Sequence, residues 1–251
     1  MMPVLFTIGE FNVYSFGFFL TLAFLLSTFV IWKKAKEELK EEEYLDIYLY
    51  TSLVALIGGR VTYVLFHNEE FGLNILRYIV VREAPGLSLL GGVLWGGVFL
   101  FLYSFKKKNF WHLSDLFALS FGFALSFAKI GEFLGGGNFG KETNFFLAAK
   151  VIGKMGRFHP VELYEAFLFL IIAVVLYFLS KKISRRKYSE GLVSFLYIEI
   201  LGVIFFLLEF FKSSQVYLYG LSIRQIFILL TMCIVLIPLV KKVKILRTET
   251  I

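Results

Sequence analysis

Seven ionisable side chains stand inside long apolar stretches of this chain: Arg60, Lys129, Glu132, Glu162, Glu165, Glu209 and Arg224. Each would cost at least about 2.5–3.5 kcal/mol facing hydrocarbon. Taken singly, such a charge snorkels to an interface or fastens two helices. Seven together favour a polar cavity in which cations and carboxylates pair. Three cations can hold a phosphate, and an arginine grips two of its oxygens at once. Glu132, Glu165 or His159 could accept a proton. No nucleophile has a base beside it, because the single cysteine, Cys233, lies in an apolar stretch and reads as packing. The nucleophile must therefore come from a substrate. With one cysteine and three scattered histidines (His67, His112, His159), no disulfide, metal centre or cofactor is expected.

The elements that must position these groups are membrane spans. The chain has 251 residues, 58% apolar and 18% charged, with mean hydropathy +0.76. Ordinary soluble domains, disordered chains and disulfide-built modules are excluded. A spanning helix needs about 20 apolar residues. Seven stretches qualify, approximately 11–32, 47–66, 86–105, 116–134, 161–180, 191–211 and 216–240. The expected fold is a single all-α integral membrane domain over residues 1–251. The first stretch lacks the basic flank and cleavage site of a removable signal. Sixteen Lys and Arg fall in the connections after the first, third, fifth and seventh spans, and seven fall on the other side. That asymmetry predicts an external N-terminus and a cytoplasmic C-terminus. The seven ionisable groups then lie in the outer half of the bilayer, with Glu199 alone near its middle. The net charge of +7 reads as topology and attraction to anionic lipid, and nucleic acid is not an expected partner.

Glycine marks three further segments: Gly58-Gly59-Arg60, Gly86-Leu87-Ser88-Leu89-Leu90-Gly91-Gly92, and Lys129 to Thr143 with its run Gly135-Gly136-Gly137-Asn138. The first pair suits close helix packing. The triple glycine breaks a helix, which at membrane depth is tolerated only where backbone is buried or lines water. In His159-Pro160-Val161-Glu162-Leu163-Tyr164-Glu165, proline announces a helix start. His159, Glu162 and Glu165 then fall near one face.

These segments, in this order, resemble the prolipoprotein diacylglyceryl transferase family over nearly the whole chain. Val13-Tyr14-Ser15-Phe16-Gly17 resembles the family's first-span motif, commonly Ile-Tyr-Ser-Tyr-Gly. Gly59-Arg60 with Tyr63 matches, as does the Gly-Leu-Ser to Gly-Gly segment. Lys129 to Thr143 is similar to the family signature, His159 to Glu165 to its His-Pro-x-Gln-Leu-Tyr-Glu, and Glu209-Phe210-Phe211-Lys212 to its Glu-Phe-x-Arg. Gln225 matches a glutamine of the last span.

The resemblance implies transfer of a diacylglyceryl group from phosphatidylglycerol to the lipobox cysteine of a preprolipoprotein. It also implies a multi-pass protein of the bacterial inner (plasma) membrane, a monomer, with the anionic phospholipid and the lipobox-containing precursor peptide as partners. Substrate-binding positions are then Arg60, Lys129, Gly131, Asn138, Gly140, Glu162, Tyr164, Glu209, Lys212 and Arg224. Glu132, His159 and Glu165 share the catalytic role, with the base open among them. Phe16, Leu90, Gly137 and Phe205 stand where the family has Tyr, His, Glu and Arg. Lys129, Glu132 and Glu162 replace Arg, Asn and Gln. The alternative is a non-catalytic relative that binds phospholipid or lipoprotein. A transporter or photoreceptor is disfavoured, since no inverted repeat is visible and residues 216–240 hold no lysine for a Schiff base.

Overall fold

A computed structural model describes residues 2–70, 86–105, 109–136, 139–151, 153–183, 190–214 and 216–248. Seven α-helices occur among them: α1 Ser15–Glu37, α2 Glu41–Phe66, α3 Leu89–Phe105, α4 Phe110–Gly135, α5 Val161–Ile183, α6 Leu192–Glu209 and α7 Ile223–Thr248. All but α3 are long and apolar enough to cross a membrane; α3 is a shorter apolar helix of 17 residues. The all-α character thus agrees with the sequence, and the chain divides into two compact units.

Two expected spans begin later than hydropathy alone suggests. Residues 11–14 form β2 (Phe11–Tyr14), paired antiparallel with β1 (Val4–Ile8) across a turn at Gly9, whose φ is +60°. Likewise β3 (Val216–Leu218) pairs with β4 (Leu221–Ser222) through Tyr219 and Gly220, both at positive φ. Two consecutive residues at positive φ suit a tight hairpin. Apolar side chains cannot by themselves tell a strand from the start of a helix. Conversely, α2 starts at Glu41, ahead of the expected boundary, because Glu41, Glu42 and Glu43 favour the positive end of a helix.

One unit comprises residues 31–114. Here α2 and α3 touch through glycine. A Cβ on Gly59 would come within 3.1 Å of the Ser88 carbonyl, and one on Gly92 within 3.2 Å of the Ala55 carbonyl. The Ser88 amide donates to the Gly59 carbonyl at 3.0 Å. At the other end of α2, Glu38 accepts from the Tyr44 hydroxyl at 2.6 Å and lies 2.9 Å from His112 Nε2. Burial pushes the Glu38 carboxyl up, but the hydrogen bonds from His112 and Tyr44, aided by the charges of His112 and Lys40, outweigh it and hold the group below its ordinary value.

The other unit holds residues 1–30 and 115–251. Its core joins α4, α5 and α6 through Leu119, Leu176, Val193 and Tyr197, and through Leu125, Val161, Phe169, Ile204 and Leu208. Ser126 Oγ of α4 donates to the Ala166 carbonyl of α5 at 2.8 Å. Gly131 lets α4 close on α1, since a Cβ there would meet Phe19 Cβ at 2.8 Å. The start of α6 is capped from another helix. Its own cap residue, Gly191, has no side chain, so Asp115 of α4 accepts from the Gly191 amide, the Ser194 amide and the Ser194 hydroxyl, at 2.7, 2.7 and 2.6 Å. Those amides would otherwise be orphaned at a helix terminus.

Candidate active site

Three helix ends supply the site. Helix α4 runs to Gly135, and Gly136 at φ +78° turns the chain out of it, so Lys129 and Glu132 occupy its closing turns on one face. Helix α5 begins at Val161 directly after Pro160 and presents Glu162 and Glu165 three residues apart. Helix α6 ends at Glu209, where the Phe211 and Lys212 amides bond back to the Leu208 and Glu209 carbonyls at 3.0 Å each and fold Lys212 over the terminus.

These ends converge on Glu165. Its carboxylate lies 2.8 Å from Lys129 Nζ and 2.6 Å from Lys212 Nζ, and Lys129 also pairs with Glu132 at 2.7 Å. Glu165 is fully buried, whereas the Glu132 side chain is 25% exposed. Glu162 is as buried as Glu165, and its Oε2 has no hydrogen-bond partner among the described residues. The result is a chain of alternating charge, Glu132–Lys129–Glu165–Lys212, with a further carboxyl beside it.

Irregular backbone behind this chain holds its members in place. The Gly140 amide donates to the His159 carbonyl at 3.0 Å, the Lys141 amide to the Phe211 carbonyl at 2.7 Å, and the His159 amide to the Lys141 carbonyl at 3.0 Å. Residues 140–141 are thus sandwiched between 159 and 211. Only glycine fits at 140, because a Cβ would approach the Phe211 carbonyl to 2.6 Å and the His159 carbonyl to 2.8 Å. His159 Nδ1 lies 3.3 Å from the Tyr164 hydroxyl, and its ring meets Phe211 edge-on at 5.1 Å. Beside Tyr164 opens a largely apolar cavity of about 400 Å³, walled by Leu147, Pro160, Leu163, Phe167 and Leu168.

Lys129, Glu132, Glu165 and Lys212 are therefore brought into direct contact, with Gly140, His159 and Tyr164 forming the supporting backbone and aromatic wall. Gly131 serves helix packing against Phe19. Asn138, and Gly137 before it, lie outside the described residues. Glu209 accepts from the Ser214 and Ser222 hydroxyls at 2.6 and 3.2 Å. Arg224 is exposed on the first turn of α7. Phe205 packs edge-on against Phe169 in the core. In the unit of residues 31–114, Arg60 is buried and donates from Nη1 to the Gly86 carbonyl at 2.9 Å, while Leu90 is 69% exposed.

Sequence reasoning missed two supports. The Ser222 amide donates to Gln225 Oε1 at 2.9 Å, and the Gln225 amide to Ser222 Oγ at 3.3 Å, a reciprocal cap on α7 whose Ser-x-x-Gln spacing was a readable signal. Gln225 Nε2 also donates to the Phe206 carbonyl, tying α7 to α6. Asp115 offered no such signal, since its partners are on another helix.

Long apolar helices, three of which bring a chain of paired charges together at their ends, define a multi-pass membrane protein with a charged site. The family model described as prolipoprotein diacylglyceryl transferase matches residues 3–241, and the chain belongs to that family. Similar proteins carry the name phosphatidylglycerol–prolipoprotein diacylglyceryl transferase. The one from Idiomarina loihiensis is 30% identical over 229 residues, covering 88% of this chain and 84% of the relative. That from Geobacter sulfurreducens is 29% identical, covering 85% and 83%. The Finegoldia magna protein is 27% identical, covering 89% and 88%.

Proposed function

We propose that this protein transfers a diacylglyceryl group from phosphatidylglycerol to the cysteine thiol of a prolipoprotein. The observation that carries the reading is the pair of lysines held on one buried carboxylate, Lys129 and Lys212 on Glu165. In the reaction a C–S bond forms to the glycerol carbon as its C–O bond to phosphate breaks. The bonding electrons pass to the phosphate oxygen, and glycerol-1-phosphate leaves. Two ammonium groups set beforehand meet the charge that grows on that oxygen. The substrate's thiol supplies the nucleophile that the chain lacks.

Glu132 takes the thiol proton. It is the most exposed carboxylate of the chain of charges, as a group that meets an incoming thiol must be. His159 is a positioning residue: its backbone joins the 140–141 segment and its ring faces Tyr164 and Phe211. The cavity beside Tyr164 suits an acyl chain. Seven spans with the N-terminus outside and the C-terminus in the cytoplasm, a monomer in the bacterial inner membrane, complete the reading. The lysine and arginine asymmetry between connections supports that orientation.

Purified protein given phosphatidylglycerol and a lipobox peptide should yield the thioether. No product under conditions where a relative works overturns the reading. It would promote a non-catalytic lipid-binding relative, which the apolar Leu90 and Phe205 favour.

A further inference from the structure

We propose that the connection between α4 and α5 is a docking surface for anionic lipid. Its exposed Phe146 and Leu147 enter the adjoining leaflet, and Lys150, Lys154 and Arg157 hold headgroup phosphates beside the cavity at Tyr164. The inference rests on the proposed function for the fate of the lipid and adds where that lipid is gathered.

The connection is a built element. Ala149 and Phe158 exchange both backbone hydrogen bonds, each at 2.9 Å, and the Thr143 amide donates to the Arg157 carbonyl at 2.8 Å. The Phe139 and Phe158 rings meet edge-on at 5.4 Å, and Lys154 Nζ lies 3.7 Å from the centre of the Phe139 ring.

Two features set its surface apart. Large apolar side chains stand outward in a row at Phe145, Phe146 and Leu147, with Phe146 80% exposed, and Met155 is 97% exposed. A contiguous apolar patch rimmed by polar groups marks a contact surface. Residues 141–157 also hold four cations, Lys141, Lys150, Lys154 and Arg157, against one acid, Glu142. All four cations are exposed. They are four of the seven Lys and Arg on the sparsely charged side of the spans, where charge asymmetry alone would keep them few. Cations interleaved with large apolar groups suit an anionic lipid interface.

Leu147 fixes the height. It walls the cavity together with Phe167 and Leu168 of α5. Phe167 is the seventh residue of that helix, roughly 9 Å along it at 1.5 Å per residue. It is itself exposed, on a helix long and apolar enough to cross a membrane. The connection therefore reaches down beside a lipid-facing flank, which puts hydrocarbon within reach of Phe146. Charge complementarity then selects the occupant. Each cation close to an anionic surface is worth about a fivefold preference over a neutral one. A lipid gathered there moves only sideways for one of its chains to enter the cavity.

The test uses the full chain in nanodiscs of mixed phosphatidylglycerol and phosphatidylcholine. Cys233→Ser removes the one native thiol, and Phe146→Cys carries a fluorophore. Lipid spin-labelled on its acyl chain should quench that fluorophore more than a water-soluble quencher does. Spin-labelled phosphatidylglycerol should quench at least about threefold better than spin-labelled phosphatidylcholine. Adding Lys150→Gln, Lys154→Gln and Arg157→Gln together should abolish the preference, as should about 0.5 M salt on the parent chain. Lys150→Arg, Lys154→Arg and Arg157→Lys together should keep it, which separates lost charge from misfolding. In transfer assays with Phe146 and Cys233 in place, the triple glutamine variant should raise KM for phosphatidylglycerol at least about fivefold with kcat unchanged. Quenching from water alone overturns the insertion, and equal quenching by the two lipids overturns the anionic docking. A KM shift for the lipobox peptide in place of the lipid assigns the surface to the precursor and overturns the proposal. A wild type that makes no thioether sinks the transferase reading instead, and the quenching comparison still decides the docking.

Discussion

Replacing Glu165 by Gln tests the chain of charges at its centre. The carboxylate holds two ammonium groups, at 2.6 and 2.8 Å, and is fully buried. Lys129 keeps Glu132 at 2.7 Å after the change, so its loss is partial. Lys212 loses its close ion pair altogether and its side chain is only 16% exposed, so most of the cost falls there. Breaking a buried pair by removing one partner costs about 3–5 kcal/mol, and Glu165→Gln should reach that range. Removing the stranded cation as well, with Lys212→Met, should recover about half of the loss. The assay is a double-mutant cycle on unfolding in mixed micelles. A cost below about 1 kcal/mol, the value of an exposed pair, or strictly additive single effects would refute the reasoning.

Three further outcomes follow from the geometry. Asp115→Ala orphans two amides and a hydroxyl at the start of α6 and should destabilise the protein by about 2–4 kcal/mol in the same unfolding assay, with Asp115→Asn losing less. Glu38 is held below its ordinary value, so its contribution is complete above the unfolded carboxylate range and is lost as pH falls through the folded value; melting curves against pH should show an acid limb that Glu38→Gln flattens. A reporter fused after Arg247 should be cytoplasmic and one inserted between Glu142 and Arg157 external, and the reverse result would move the site to the inner leaflet.

The depth of reading differed from element to element. The ends of α4 and α5 were legible because their signals are local. A run of glycines cannot continue a helix cheaply, and proline preorganises a helix start. Residues 11–14 and 216–222, one strand of the first hairpin and the whole of the second, fall within the expected spans, because Phe11–Tyr14 and Val216–Leu218 are uncharged in either conformation and only strand pairing separates the two.

Sequence by itself determined that this chain is an all-α membrane protein of one family, and which side chains are chemically able to act. Hydrocarbon demands long apolar helices and makes each intramembrane charge conspicuous, so both features are written in residue order. Only tertiary structure decided which charges meet. Lys129, Glu132, Glu165 and Lys212 come together while Arg224 is left exposed and Glu209 takes hydroxyl partners. The physical reason lies in the spans themselves: a helix apolar on every side carries no periodic stripe to say which face turns inward. Its rotation is set by contacts such as Gly131 on Phe19 and the Asp115 cap on α6, made between residues far apart in the chain.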